Sequence, residues 1–235
     1  MSENNKNPDL HYLWPTPFLR TRCPDYAQIN PELVKLFTQH RNERDKLKAP
    51  VYSSGDDLLM RYNHPQLNQL FKFISDQLFN MSTEVNAKMW QFSRSSKMQM
   101  NVVGAWFQIQ NGHGFHETHT HGNCAWSGVY YVQVDDRDTR VANKELGEMN
   151  GITRFYGPHL DTIGGGYMDS GNLYLQDTSF DSEPEEGYLC LFPSHLKHMA
   201  MPYIGNKDRI IVSFNIQVHG DKGDDLFDYR FTNSL

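Results

Sequence analysis

The spacing of the apolar residues changes near Met98, and that change limits the folds open to this chain. Behind Pro65, residues Leu67, Leu70, Phe71, Ile74, Leu78 and Phe79 recur at helical intervals, which predicts a helix with one apolar stripe. Asn30 and Pro31 form a helix start, and Leu33, Leu36, Phe37 and His40 follow it at the same spacing. From Met98 the period is two. "MQMNVVGAWFQIQ", "SGVYYVQV", "GYLCLFP" and "RIIVSFNIQV" are rich in β-branched and aromatic residues and read as strands. Strands gathered after helices predict an α+β protein with the helices packed on one face of an antiparallel sheet or barrel.

At 235 residues and 38% hydrophobic, the chain can bury the core of one domain. We place that domain at 12–235, with 12–97 as mainly helical support and 98–220 as the β core, and expect the polar residues 1–11 to be disordered. Between Asp135 and Gly187 the sequence is polar, glycine-rich and weakly periodic, so 135–187 is predicted to be an insertion that serves as a lid or binding loop.

The charge excludes some partners. A net charge of −6 with acids and bases interspersed leaves no basic stripe for nucleic acid. No uncharged apolar run approaches the roughly 20 residues that span a bilayer, and "MSENNKNPDL" lacks the features of a signal peptide. Cys23, Cys124 and Cys190 are odd in number and have no CxxC spacing, which argues against a disulfide framework and against a structural zinc site. The expectation is a soluble, cytoplasmic protein without nucleic-acid or membrane partners, with a homodimer left open.

The chemistry concentrates in "FHETHTHGNCAWSGVYYV". His119 and His121 are two apart, so on a strand both imidazoles face one side. His198, in "LFPSHLKHMAMPY", follows another strand-like run. Two ligands at i and i+2 plus one from a distant strand make a facial set, the arrangement by which non-haem Fe(II) oxygenases leave room for a cosubstrate and O₂. His113, His159 and His195 read as structural or lid residues. Along "RIIVSFNIQ", Arg209, Ile211, Ser213 and Asn215 share one face, and Ile210, Val212, Phe214 and Ile216 the other. The first face puts a guanidinium toward the cavity of His198, where a buried charge needs an anion. A dicarboxylate cosubstrate supplies one, held by the guanidinium fork with the Ser213 hydroxyl beside it. An ordinary ion pair with a neighbouring acid is the alternative. Trp106, Gln108 and Gln110 alternate on the preceding strand and are candidates for the pocket wall or for half-buried barrel positions.

"HTHGNCAWSGVYYV", "GYLCLFPSHLKHMAMPY" and "DRIIVSFN" resemble the signature blocks of a family of 2-oxoglutarate/Fe(II)-dependent oxygenases, H-x-H-P-x-S-x-x-SGVYY, FPS-x-x-x-H-x-x-x-P and R-I-x-x-x-FN. "LWPTPF" is similar to that family's N-terminal segment. The resemblance implies a double-stranded β-helix (jelly-roll) core, iron held by the first block and His198, and 2-oxoglutarate anchored by Arg209. The chain departs from the pattern at Gly122, Cys124, Gly157 and His159, which bear on substrate more than on cofactors. The commoner ligand pattern is His-x-Asp/Glu, and no acid stands two after His119 or His121. Glu117 with His119, or Asn123, are therefore alternatives to the favoured set His119, His121 and His198.

The mechanism expected on this resemblance uses Fe(II), 2-oxoglutarate and O₂. Arg209, Ser213 and Tyr131 clamp the distal carboxylate, succinate and CO₂ are released, and a C–H bond of a small molecule such as an amino acid or metabolite is hydroxylated, or redirected to desaturation or ring closure. The rivals are a three-histidine cupin-type metalloenzyme that does not use 2-oxoglutarate and a non-catalytic jelly-roll binding protein.

Overall fold

The computed structural model describes residues 15–90, 97–157, 171 and 178–221. Residues 1–11, expected to be disordered, and His159 lie outside the described residues.

Two antiparallel sheets form the core. The larger has the order β1 (Leu19–Arg22), β8 (Tyr188–Pro193), β5 (Trp126–Gln133), β10 (Arg209–Gly220), β3 (Met98–Gln110) and β2 (Val51–Ser53). The smaller runs β4 (Gly114–His119), β9 (His198–Tyr203), β6 (Thr153–Tyr156) and β7 (Ser179–Ser182). Facing each other, they make a jelly roll. Helices α1 (Tyr26–Arg44) and α3 (Pro65–Trp90) cover the outer face of the larger sheet. Short helices α2 (Leu58–Arg61) and α4 (Arg137–Val141) lie in the connections.

The alternation in β10 decides which side is which. Ile210, Val212, Phe214 and Ile216 join Leu33, Phe37, Leu70, Phe71 and Ile74 in the helix-side core. Arg209, Ile211 and Ser213 point the other way, into the space between the sheets. Burying each large apolar side chain contributes about 1.5–3 kcal/mol, so a one-residue slip of β10 would forfeit several of these contributions and drive Arg209 into oil.

Three details differ from the sequence reading. Helix α1 begins at Tyr26 rather than at Asn30–Pro31, and Pro31 lies inside it. Tertiary contacts set its position, because buried Asn30 accepts a hydrogen bond from the Tyr130 hydroxyl at 2.7 Å and donates to the Tyr131 carbonyl at 3.4 Å. Phe79 is 48% exposed, while Met81 and Ser82 continue the buried stripe. At about 100° per residue, Phe79 lies about 120° around the helix from Leu67. Finally, the segment 135–187 is not an insertion throughout, since β6 and β7 are strands of the smaller sheet and Arg140, Asn150 and Thr153 within it are buried. Arg140 pairs with Glu183 and donates to the carbonyls of Asp135 and Asn150. Four-residue strands carry too little alternation to stand out from polar loop sequence.

Gly128 explains one constraint in "SGVYY". A Cβ there would stand 2.3 Å from the Phe214 ring and 2.8 Å from the Cys190 carbonyl oxygen. Gly128→Ala is expected to lower stability by ~1–3 kcal/mol through overpacking, measurable by urea denaturation.

Candidate active site

His119 closes β4 and pairs in register with His198, which opens β9. The sequence reading put His119 and His121 on one strand and His198 on a distant one. Instead β4 ends at His119, β9 is its direct neighbour, and His121 stands beyond the strand in the connection to β5. Asn123 in that connection has a left-handed φ of 56°, a conformation asparagine tolerates. Ser194 holds the turn in place. Its carbonyl accepts from the His121 N–H at 3.0 Å, its own N–H donates to Ala125 O at 3.0 Å, and its hydroxyl donates to Cys124 O at 2.5 Å. The loop bearing His121 is thus stitched to the turn that leads to His198.

The result brings His119, His121 and His198 together, with ligand atoms all within 4.8 Å of one another. Among the described residues, no carboxylate joins this group. Glu117 is exposed, and the Asn123 side chain accepts from Gln217 Nε2 at 3.2 Å. His119 Nδ1 donates to Glu117 O at 2.6 Å and His198 Nδ1 to Leu196 O at 2.8 Å, which leaves Nε2 of each as a lone-pair donor. Burial pulls the His121 pKa down to about 4 and that of His198 to about 3, so both are neutral near pH 7.

Arg209 lies in the same cavity, which is also lined by Ser213, Thr153, Gln108, His116 and Trp106. The guanidinium is 1% exposed. It donates to Gln110 Oε1 at 2.9 Å and Thr153 Oγ1 at 3.2 Å, and its Nε has no partner among the described residues. Among the described residues no carboxylate pairs with it, so the ion-pair alternative is not what the structure shows.

Residues 104–215 match the family model described as "Putative 2OG-Fe(II) oxygenase". Over this region the chain is similar to 2OG-Fe(II) oxygenases. Among solved structures, the chain is similar to a Pseudomonas putida prolyl-4-hydroxylase at 13% identity, covering 86% of this chain and 93% of that one with a TM-score of 0.52. It is also similar to SnoN, a non-heme alpha ketoglutarate dependent epimerase from nogalamycin biosynthesis, at 11% identity, 94% and 85% coverage and a TM-score of 0.53. At these identities the likeness establishes the shared fold. No protein of curated function matches the sequence.

The family matched is described by Fe(II) and 2-oxoglutarate, and the donor atoms of this chain fit both. Three imidazoles suit a first-row divalent ion, and an unneutralised guanidinium with an orphaned Nε suits a carboxylate. Ser213 faces the cavity. Tyr131 is fully buried outside the cavity lining; its ring lies 5.3 Å beneath the Arg209 guanidinium and its hydroxyl bonds Thr153 Oγ1 at 2.8 Å. It therefore supports Arg209 and Thr153 from behind. Thr153 had no individual signal in the sequence, since it sits in a four-residue strand, and Ser194 appeared only as part of the FPS block.

The depressed histidine pKa values set a pH response. In the unfolded chain His121 and His198 titrate near 6.5, whereas in the folded protein they stay neutral down to about 4 and about 3. Below pH 6.5 the unfolded state therefore binds protons that the folded state refuses. The metal-free protein is expected to hold its full stability above pH 6.5 and lose it as pH falls toward 4, by up to about 1.4 kcal/mol per pH unit for each such histidine. Urea midpoints at a series of pH values check this. A flat profile would contradict the burial of these rings.

Proposed function

We propose that this protein is a 2-oxoglutarate/Fe(II)-dependent oxygenase that hydroxylates, or otherwise oxidises, a C–H bond of a small molecule such as an amino acid or metabolite. In this reading His119, His121 and His198 hold Fe(II), and Arg209 with Ser213 holds the distal carboxylate of 2-oxoglutarate. The observation that carries the reading is the buried Arg209 guanidinium, which shares one cavity with the three histidines and has no carboxylate partner among the described residues.

When bound, iron and 2-oxoglutarate supply O₂-dependent oxidation of a C–H bond with release of succinate and CO₂. The chain supplies position and dryness. Three neutral imidazoles leave the charge of the ion undiminished, which favours an anionic chelator. The guanidinium fork fixes the far end of that chelator, and Gln110 and Thr153 fix the fork. Val129, Ile211, Phe192 and Ala200 line the cavity and exclude water from it.

A second feature supports a small substrate. The Phe155 ring, 5.6 Å from that of His198, also borders a cavity of about 290 Å³ with Phe18, Tyr156, Phe180 and Leu196. Its size and aromatic lining suit part of a small molecule.

The test is to add Fe(II) and then 2-oxoglutarate to metal-free protein under argon and to look for a weak, saturable visible band from the chelated keto acid. Admission of O₂ should then yield succinate. Iron binding with no band and no succinate would favour a three-histidine metalloenzyme that does not use 2-oxoglutarate.

A further inference from the structure

Gln108 and His116 stand out as polar side chains in the cavity that no described residue hydrogen-bonds. Gln108 is 6% exposed and lines the cavity, yet its amide makes no hydrogen bond to any described residue. The His116 imidazole also lines the cavity and makes none, although its ring centroid is 4.3 Å from that of His119. Gln110, one pleat along from Gln108, is by contrast fully engaged with Gly114 O, Met201 O and Arg209. The Gln108 amide reaches the open space of the cavity, so a ligand there can take up its hydrogen bonds.

The register says which part of the ligand lies there. On β3, Trp106 pairs with Ser213, Gln108 with Ile211 and Gln110 with Arg209. The Trp106 ring is 5.9 Å from that of His121, so the inner face of β3 runs from the three-histidine group, past Gln108, to Arg209. On β4, His119 pairs with His198 and His116 with Ala200, which sets His116 one step below the same group. Gln108 and His116 therefore stand on opposite sheets between the three histidines and Arg209, and Ile211 beside Gln108, Ala200 beside His116, and Val129 make an apolar wall next to them. A five-carbon keto diacid spanning that distance has a carboxylate at each end and methylenes between. With the distal carboxylate on Arg209, the polar atoms left near the histidines are the keto oxygen and the carboxylate beside it.

Building on the proposed site, we propose that Gln108 and His116 are positioning residues that donate hydrogen bonds to the carboxylate adjacent to the keto group of 2-oxoglutarate. The amide N–H and a neutral imidazole N–H approach from the β3–β4 side, and the methylenes lie on the apolar wall. The pair thereby selects one orientation of the chelate and leaves the opposite side of the metal group for substrate.

The test is an anaerobic titration of the Fe(II)-loaded protein with 2-oxoglutarate, read by the visible band and by calorimetry, in wild type, Gln108→Leu, Gln108→Glu, His116→Leu and Arg209→Leu, with iron content measured for each. Gln108→Leu is expected to raise the dissociation constant about 10-fold, the loss of one hydrogen bond to a charged group. Gln108→Glu, of the same shape but opposed to a carboxylate, should raise it further and shift the band. A packing role would give the two Gln108 variants the same affinity. His116→Leu should act like Gln108→Leu at unchanged iron content. Wild-type affinity in both folded Gln108 variants overturns this inference while leaving the oxygenase site standing if Arg209→Leu still weakens binding. A wild type that shows no band overturns both.

Discussion

Replacing Arg209 with leucine is expected to weaken 2-oxoglutarate binding by at least about 100-fold while leaving iron binding and the fold in place. A paired, charge-assisted contact to a carboxylate is worth roughly 3 kcal/mol, and each 1.4 kcal/mol is a factor of ten in affinity. Arg209 is the buried cation that faces the cavity, and its guanidinium is already aimed by Gln110 and Thr153. Stability should move far less. The change orphans Gln110 Oε1 and Thr153 Oγ1, but it also removes a charge that no described carboxylate neutralises in the ligand-free protein, and replacing buried charge by an apolar side chain is often neutral or favourable. Arg209→Lys keeps the charge and loses the fork, so its affinity should fall between those of wild type and the leucine variant. Calorimetry of 2-oxoglutarate binding together with thermal melts separates the outcomes. Unchanged binding in Arg209→Leu would remove the basis for assigning the cosubstrate to this pocket.

His198→Ala is expected to abolish stoichiometric iron and, with it, all succinate formation. His198 is 7% exposed, its Nδ1 is fixed by Leu196 O, and its ring packs against Phe155 and Phe192, so the imidazole is held with Nε2 toward its two partners. Two remaining imidazoles are a poor site for a first-row ion, and loss of a direct ligand should exceed the roughly 10- to 100-fold effect that follows from removing a residue behind a ligand. The fold should survive. Truncation leaves a small cavity beside Phe155, but it also removes the acid sensitivity that His198 contributes, so the variant should lose less stability than wild type between pH 6.5 and 4. Metal analysis of purified protein and melts at two pH values decide it. Retention of one iron per chain in His198→Ala would contradict the three-histidine assignment.

Much of this was legible in the sequence because it rests on period and on chemical type. The period-two run of β10 placed Arg209, Ile211 and Ser213 opposite Ile210, Val212 and Phe214, and the structure keeps that division. The α3 stripe was legible from Leu67 to Leu78 and failed at Phe79, where the 3.6-residue turn carries the next position away from the core. The histidines stood out as ligand types at close spacing, and a resemblance in short blocks pointed to iron and 2-oxoglutarate. The spacing alone did not show how they meet. His121 reaches the group from a loop pinned by Ser194, and His198 arrives as the direct neighbour of His119 across β4 and β9.

The sequence by itself determined the elements that are long enough to show a repeat, and the residue types able to bind a metal and an anion. Only the tertiary structure decided that Arg209 is buried with no carboxylate partner among the described residues, that Thr153 and Gln110 aim it, and that Gln108 and His116 face the cavity between it and the histidines. The reason is physical. Periodicity reports which face of an element is buried, whereas a site depends on which buried polar groups find partners across the space between two sheets, and those partners come from strands far apart in sequence and too short to announce themselves.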